Sequence, residues 1–279
     1  MEGETTNAPG PSLGRLRGFA FDLDGTIWAG STLLPGAIEL VAALRSSDIP
    51  VVFASNSSRH GAAVLAARLT GMGISAGERD VVAAFDLVAD EIVRRLGRVR
   101  VLPLATADMD ELLASAGHDV LPLEDWARAQ AVVVGNDPAF DFGRLRAASR
   151  AVAAGAAFFA VNMDARFPVA QDAFDPGCGA LVEAVATAAE ARPIVIGKPY
   201  APLFERTLER LGCRADEAAM VGDNMASDIV GGRAAGMFTV WIDGRGDRAV
   251  DGQSPRPDLI ARNLPELHRF WQNQRQIPE

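Results

Sequence analysis

The chain alternates short runs of apolar, β-prone residues with longer stretches in which Ala, Leu and Arg recur at helical spacing. Apolar runs at 18–23, 51–54, 100–102, 131–134, 157–161, 194–196, 219–221 and 239–242 are nearly unbroken by polar residues. That is the pattern of strands buried on both faces of a mainly parallel sheet. Amphipathic stretches at 35–45, 59–72, 108–116, 142–154, 178–191, 202–211 and 228–235 predict the intervening helices, the first opened by Pro35 where helices tolerate proline. Strand–helix alternation of this kind predicts an α/β protein built from βα units. Residues 1–14, rich in polar, Pro and Gly positions, are expected to be disordered, as are the last few.

Four polar segments follow apolar runs, and a strand's C-terminal end is where open α/β sheets bind ligands. The first is Phe21-Asp22-Leu23-Asp24-Gly25-Thr26. Two carboxylates at i and i+2 can face one crevice, where their repulsion calls for a hard cation such as Mg²⁺. One can then attack phosphorus while the other moves a proton. An ordinary Asp/Gly turn uses the same residues. The second segment, Ser55-Asn56-Ser57-Ser58, offers hydroxyls, an amide and backbone N–H groups for a phosphate, and equally the common caps of a helix. The third, Gly197-Lys198-Pro199, places a compact positive charge after a strand, suited to phosphate or to a carboxylate, although many loop lysines are merely solvated. The fourth runs Gly222-Asp223-Asn224-Met225-Ala226-Ser227-Asp228. Asp223 is the better metal ligand there, and Asp228 the better capping or supporting residue.

Composition and charge narrow the field. The 279 residues are 49% hydrophobic and 23% charged, with a formal net charge of -9. Such a field repels nucleic acid and anionic membranes, so neither is expected as a partner. A small phosphorylated substrate stays compatible, since one metal and one lysine can invert the potential locally. Cys178 and Cys213 are the only cysteines, so no disulfide framework is indicated. The acidic start lacks the features of a secretory signal, and the longest apolar run, 151–161, is too short to span a bilayer. A cytoplasmic protein is expected.

Taken together and in this order, the four segments resemble the haloacid dehalogenase-like superfamily of phosphotransferases, over residues 18–260. The resemblance implies a Rossmann-like, doubly wound parallel-sheet core with an inserted α/β cap of the C2 type. It implies Asp22 as nucleophile, Asp24 as general acid/base, and Ser55, Asn56 and Ser57 around the phosphate. Lys198 would bridge phosphate and nucleophile. Asp22, Asp223 and the backbone carbonyl of Asp24 would hold Mg²⁺, with Asp228 behind them. Segments Val134-Gly135-Asn136-Asp137, Val161-Asn162-Met163-Asp164 and Phe174-Asp175-Pro176-Gly177-Cys178-Gly179-Ala180-Leu181 resemble the cap of the NagD-like branch, which includes phosphoglycolate, pyridoxal phosphate and 4-nitrophenyl phosphatases. The implied division is a core of 15–79 and 188–279 around a cap of 80–187.

Asn162, Asp164 and the loop before Cys178 are candidate substrate contacts, and the same residues are ordinary turn formers. A packed Cys178 fits better than an exposed thiol. The branch commonly pairs through its caps, so a homodimer is an expectation of the resemblance. Two details depart from the common pattern: Ser55 and Ser57 stand where Thr and Asn are frequent, and Asn-Met-Ala-Ser follows Asp223. Dehalogenating relatives usually lack an acid at the position of Asp24, and ion pumps carry Thr there. The expected activity is therefore Mg²⁺-dependent hydrolysis of small-molecule phosphate monoesters through an aspartyl phosphate. A sugar-phosphate phosphotransferase or mutase, or a catalytically idle phosphate-binding protein, are the rival readings.

Overall fold

The structure, a computed structural model, describes residues 12–170, 173–244 and 256–275. The chain opens with strand β1 (Gly18–Phe21), a small hairpin of β2 (Trp28–Ala29) and β3 (Thr32–Leu33), and helix α1 (Ala37–Arg45). Then come β4 (Val51–Ser55), α2 (Ala62–Gly71), β5 (Val81–Ala83) and α3 (Ala84–Leu96). A second unit holds β6 (Arg100–Leu104), α4 (Ala107–Ser115), β7 (Asp119–Val120), β8 (Ala131–Val134), α5 (Phe142–Ala153) and β9 (Ala157–Ala160). It continues through a hairpin, β10 (Arg166–Ala170) and β11 (Ala173–Pro176), then α6 (Cys178–Ala189) and β12 (Ile194–Val195). The chain returns with α7 (Ala201–Leu211), β13 (Ala218–Gly222), α8 (Val230–Ala234), β14 (Phe238–Ile242), β15 (Leu259–Ala261) and α9 (Leu264–Arg275).

Two parallel sheets result. The first has the order β15-β14-β13-β1-β4-β5, the second β12-β9-β8-β6-β7, and every pairing in both is parallel. From β1 the first sheet grows toward β4 and β5, and from β13 it grows the other way. The switch point therefore lies between β1 and β13, where a crevice opens beyond the strand ends. Both faces of this sheet are apolar and alternate along each strand. Phe19, Phe21, Phe53 and Val221 pack on one face, and Ala20, Val52, Ala54 and Met220 on the other. The second of these clusters runs without a break into the second sheet, through Val101, Val133 and Phe159.

The parallel α/β architecture follows the sequence expectation. Two strands lie on the far side of the expected core–cap boundaries. Val81–Ala83 pairs with β4 in the first sheet, and Ile194–Val195 pairs with β9 in the second, because the chain crosses back only at Gly197 and Lys198. Helix α3 and the terminal helix α9 escape the sequence reading. In α3 the strand β5 runs directly into the helix, with Ala83 as an N-cap that makes no side-chain hydrogen bond, so no breaker marks the boundary. Of the N-terminal stretch expected to be disordered, residues 1–11 lie outside the described residues. Leu13 is buried in a turn (Leu13–Arg15) that packs on α9, and Gly14 N donates to Gln274 Oε1 at 3.3 Å. Helix α9 runs to Arg275, and the last few residues, 276–279, expected to be loose, lie outside the described residues. No helix among the described residues is long and apolar enough to cross a membrane.

Candidate active site

Four strand ends of the two sheets converge at the switch point. Asp22 is the first residue beyond β1, and its N–H donates to Val221 O at 2.8 Å, which seats it beside β13. The chain then turns at once, with Ile27 N and Trp28 N donating to Leu23 O at 2.9 and 3.0 Å. Gly25 makes that turn possible. Its φ of 88° lies in the left-handed region, and a Cβ there would stand 2.4 Å from Asp223 Oδ2. The turn separates the paired acids. Asp22 is buried, whereas Asp24 is exposed and its Oδ1 accepts from Trp28 Nε1 at 2.7 Å.

Lys198, only 2% exposed, is the hub. Its Nζ lies 2.5 Å from Asp22 Oδ1, 2.8 Å from Asp228 Oδ1 and 2.9 Å from Ala54 O, so each ammonium proton has an acceptor. Asp228 is fully buried, and its Oδ2 accepts from Asn224 N at 3.1 Å. Gly222 permits this approach, since a Cβ there would lie 2.1 Å from Asp228 Oδ2. Oxygen atoms of Asp22, Asp223 and Asp228 all lie within 4.8 Å of one another. Burial pushes the Asp22 carboxyl well above its ordinary range. Lys198 opposes that shift, and Asp228 and Asp223 add to it. Burial by itself would lower the Lys198 ammonium, but Asp22 and Asp228 reverse the sign and raise it. The lysine is thus held charged. Three carboxylates facing one ammonium form a hard-oxygen donor set with room for the charge of a divalent cation. The carboxylate of Asp24 is not part of this trio, and its Oδ1 takes the Trp28 indole N–H instead.

The loop after β4 lies opposite. Ser55 is buried and its Oγ accepts from Ser57 N at 3.1 Å, while Ser57 Oγ accepts from His60 N at 2.9 Å. Asn56 acts as a staple: its Oδ1 accepts from Lys198 N at 2.7 Å, and its Nδ2 donates to Lys198 O at 3.2 Å and Asp164 Oδ2 at 3.3 Å. Gly197 makes room for it, because a Cβ there would be 2.6 Å from Asn56 Oδ1. From the second sheet, Asn162 donates through Nδ2 to Asn56 O, and its Oδ1 accepts from Asp164 N at 3.0 Å. Both ends of the Asn162 amide are thereby engaged. Burial raises the Asp164 carboxyl, against the pull of Asn56 and Lys198, with Asp228 and Asp24 adding to the rise. Cys178 is buried, its Sγ donates to Val134 O at 3.4 Å, and burial pushes the thiol up to about 12. It is a packed side chain.

All ten residues singled out in the sequence therefore gather at one crevice or in the loops that brace it. Three others went unnoticed. Trp28 anchors Asp24, Trp241 Nε1 donates to Asp223 O at 3.0 Å, and Arg59 reaches from the β4 loop to the second sheet. Both tryptophans are buried, and their indole N–H groups each take a polar partner at the site.

Comparison with known proteins agrees with this geometry. Residues 19–119 match a haloacid dehalogenase-like hydrolase family model and residues 195–267 a HAD-hydrolase-like model, together more than half of the chain. The chain is 28% identical over 254 residues to an acid sugar phosphatase of Staphylococcus saprophyticus, covering 91% of this chain and 94% of that one. A p-nitrophenyl phosphatase from Archaeoglobus fulgidus superimposes with a TM-score of 0.83 at 28% identity, over 91% of this chain and 98% of that one. A glycerol phosphate phosphatase from Mycobacterium tuberculosis, solved in complex with magnesium, gives a TM-score of 0.83 at 29% identity, over 97% and 82%. NagD from Escherichia coli shares the fold, with a TM-score of 0.80 at 24% identity. The two family models, which between them contain Asp22, Lys198, Asp223 and Asp228, together with these relatives over nine-tenths of the sequence, place this chain among the haloacid dehalogenase-like hydrolases.

Proposed function

We propose that the protein is a Mg²⁺-dependent phosphatase that hydrolyses small-molecule phosphate monoesters through a phosphorylated Asp22. The observation that carries this reading is the buried Asp22 carboxylate, 2.5 Å from Lys198 Nζ and within 4.8 Å of Asp223 and Asp228. Phosphatases among its relatives support the reaction class.

Asp22, Asp223 and the backbone carbonyl of Asp24 would hold the Mg²⁺, and Asp228 orients Lys198 from behind. The ion supplies charge neutralisation on the phosphoryl oxygens. Lys198 adds its own positive charge to the same end, so an anionic nucleophile can approach an anionic ester. Ser55 and the loop through Ser57 receive the phosphate oxygens. An Asp22 oxygen attacks phosphorus, and the bond from phosphorus to the ester oxygen breaks. Asp24, exposed and steered by Trp28, gives its proton to that leaving oxygen. It then takes a proton from the water that attacks the aspartyl phosphate, releasing phosphate and restoring Asp22. The five-stranded unit acts as the cap, bringing Asn162 and Asp164 to the mouth of the cradle, where a small phosphorylated metabolite enters.

The test is direct. Purified protein with Mg²⁺ should hydrolyse an aryl phosphate, and EDTA should abolish that turnover. Asp22→Asn should be inactive while keeping the wild-type circular dichroism. Turnover by Asp22→Asn, or full activity of a metal-free preparation, overturns the assignment.

A further inference from the structure

Apart from the cluster around Asp22, a charged side chain of the cradle loop grips the second sheet. Arg59 Nε donates to Asn136 Oδ1 at 2.6 Å, and the guanidinium carbon lies 4.5 Å from the centroid of the Phe167 ring. Asn136 leaves β8 and is itself buried, and Phe167 belongs to β10. Asn136 Nδ2 in turn donates to Pro176 O at 3.0 Å, at the end of β11. One guanidinium thus holds both strands of the β10–β11 hairpin, directly through a ring face and indirectly through an amide.

The hairpin needs such a hold. Among the described residues it forms a two-stranded antiparallel sheet of its own, paired with neither large sheet and packed on α6, and Ala173 to Pro176 are exposed. An isolated hairpin of this size is marginal in water. It also starts two residues after Asp164, which accepts from Asn56 of the cradle, and Gly177 N at its end donates to Ala165 O at 2.9 Å. The main chains are close where Arg59 crosses: a Cβ on Gly135 would lie 3.4 Å from Ser58 O. A charge-assisted hydrogen bond and a cation–π contact are both directional, so they set a position as well as adding attraction.

We propose that Arg59 is a positioning residue that registers the β10–β11 hairpin on the phosphate cradle, and so sets where the second sheet meets the leaving group of the substrate. The proposal rests on the phosphatase reading above. Arg59 touches neither Asp22 nor Lys198 nor Asp24, so its loss acts on substrate binding more than on the chemical step.

The experiment measures kcat and KM on an aryl phosphate with Mg²⁺ for wild type, Arg59→Ala, Arg59→Lys, Asn136→Ala and the Arg59→Ala/Asn136→Ala pair, together with hydrogen exchange of residues 173–177. Arg59→Ala should raise KM about tenfold with kcat within about threefold, the loss expected of one charge-assisted contact. Arg59→Lys, which keeps a cation over Phe167 without the guanidinium fork, should recover part of the KM. The double variant should stay within about twofold of Arg59→Ala, because the two side chains act in one chain of contacts. Amides of 173–175 and 177 should exchange faster in Arg59→Ala, while those of β13 stay protected. A wild-type KM with wild-type hairpin exchange in Arg59→Ala, or additive effects in the double variant, overturns the proposal. Absence of any wild-type turnover would instead sink the phosphatase reading, and the exchange of the hairpin would still decide whether Arg59 holds it.

Discussion

Asp22 and Asp24 are two residues apart in one motif, yet their surroundings differ sharply. Asp22 is shut in with Lys198 and two further carboxylates, which suits a nucleophile whose charge must be balanced before an anion can approach. Asp24 is exposed and held by a neutral indole N–H, which suits a group that exchanges protons with a leaving oxygen and with water. Asp24→Asn should therefore cut kcat by about 10²–10⁴ on an alkyl phosphate, the usual scale of general acid–base catalysis, and by much less in the first step on an aryl phosphate. An aryl leaving group departs as a stable phenolate and needs no donated proton. Equal losses on the two ester types, measured by steady-state and burst kinetics, would remove Asp24 from the acid role. Trp28→Phe should show the same leaving-group preference at smaller amplitude.

Elements decide whether those residues meet. The turn leaving β1 closes only because Gly25 adopts a positive φ and lets Asp223 pass 2.4 Å from where a Cβ would be. Gly25→Ala should cost about 1–2 kcal/mol in stability from backbone strain alone. It should also displace the Asp223 carboxylate, so activity falls further than stability does. Chemical denaturation and Mg²⁺ titration of activity check the two effects separately, and a variant with wild-type stability and wild-type Mg²⁺ dependence would contradict the account. Strand and helix order was largely legible in the chain because apolar runs of period 2 and amphipathic stretches of period 3.6 are local signals. Helix α3 was not, since no capping side chain separates it from β5. Hairpin β10–β11 was not either, since it carries Pro168 and Pro176 and has exposed residues along β11.

At the scale of the molecule, two parallel sheets turn their C-terminal strand ends toward each other, and the crevice belongs to both. Asn56 shows it best: one amide joins the cradle loop, the lysine loop and Asp164 of the second sheet. Crowding Asp22, Asp223 and Asp228 within 4.8 Å costs electrostatic energy that a bound cation relieves. Mg²⁺ at a hundred times its dissociation constant should stabilise the fold by about 2.7 kcal/mol, read as a rise in Tm. Asp223→Asn should lose most of that rise. A Tm indifferent to Mg²⁺ in the wild type would argue against a metal at this place.

The candidate residues Asp22, Asp24, Ser55, Lys198 and Asp223 were legible in the sequence because each lies at or just beyond the end of an apolar run, and the resemblance carried by those segments supplied their expected roles. Chain order and local pattern are enough to say that such residues crowd the end of a parallel sheet. Their contacts with one another were decided by tertiary structure. The burial of Asp22 against Lys198, the Trp28 contact that keeps Asp24 outside the carboxylate trio, and the reach of Arg59 to Asn136 and Phe167 all join residues through space. Asp22 and Lys198 are 176 positions apart, and Arg59 and Asn136 are 77. A local pattern carries periodicity and turn chemistry, whereas pairing at such separations is set by the packing of two sheets, which no segment of the chain encodes by itself.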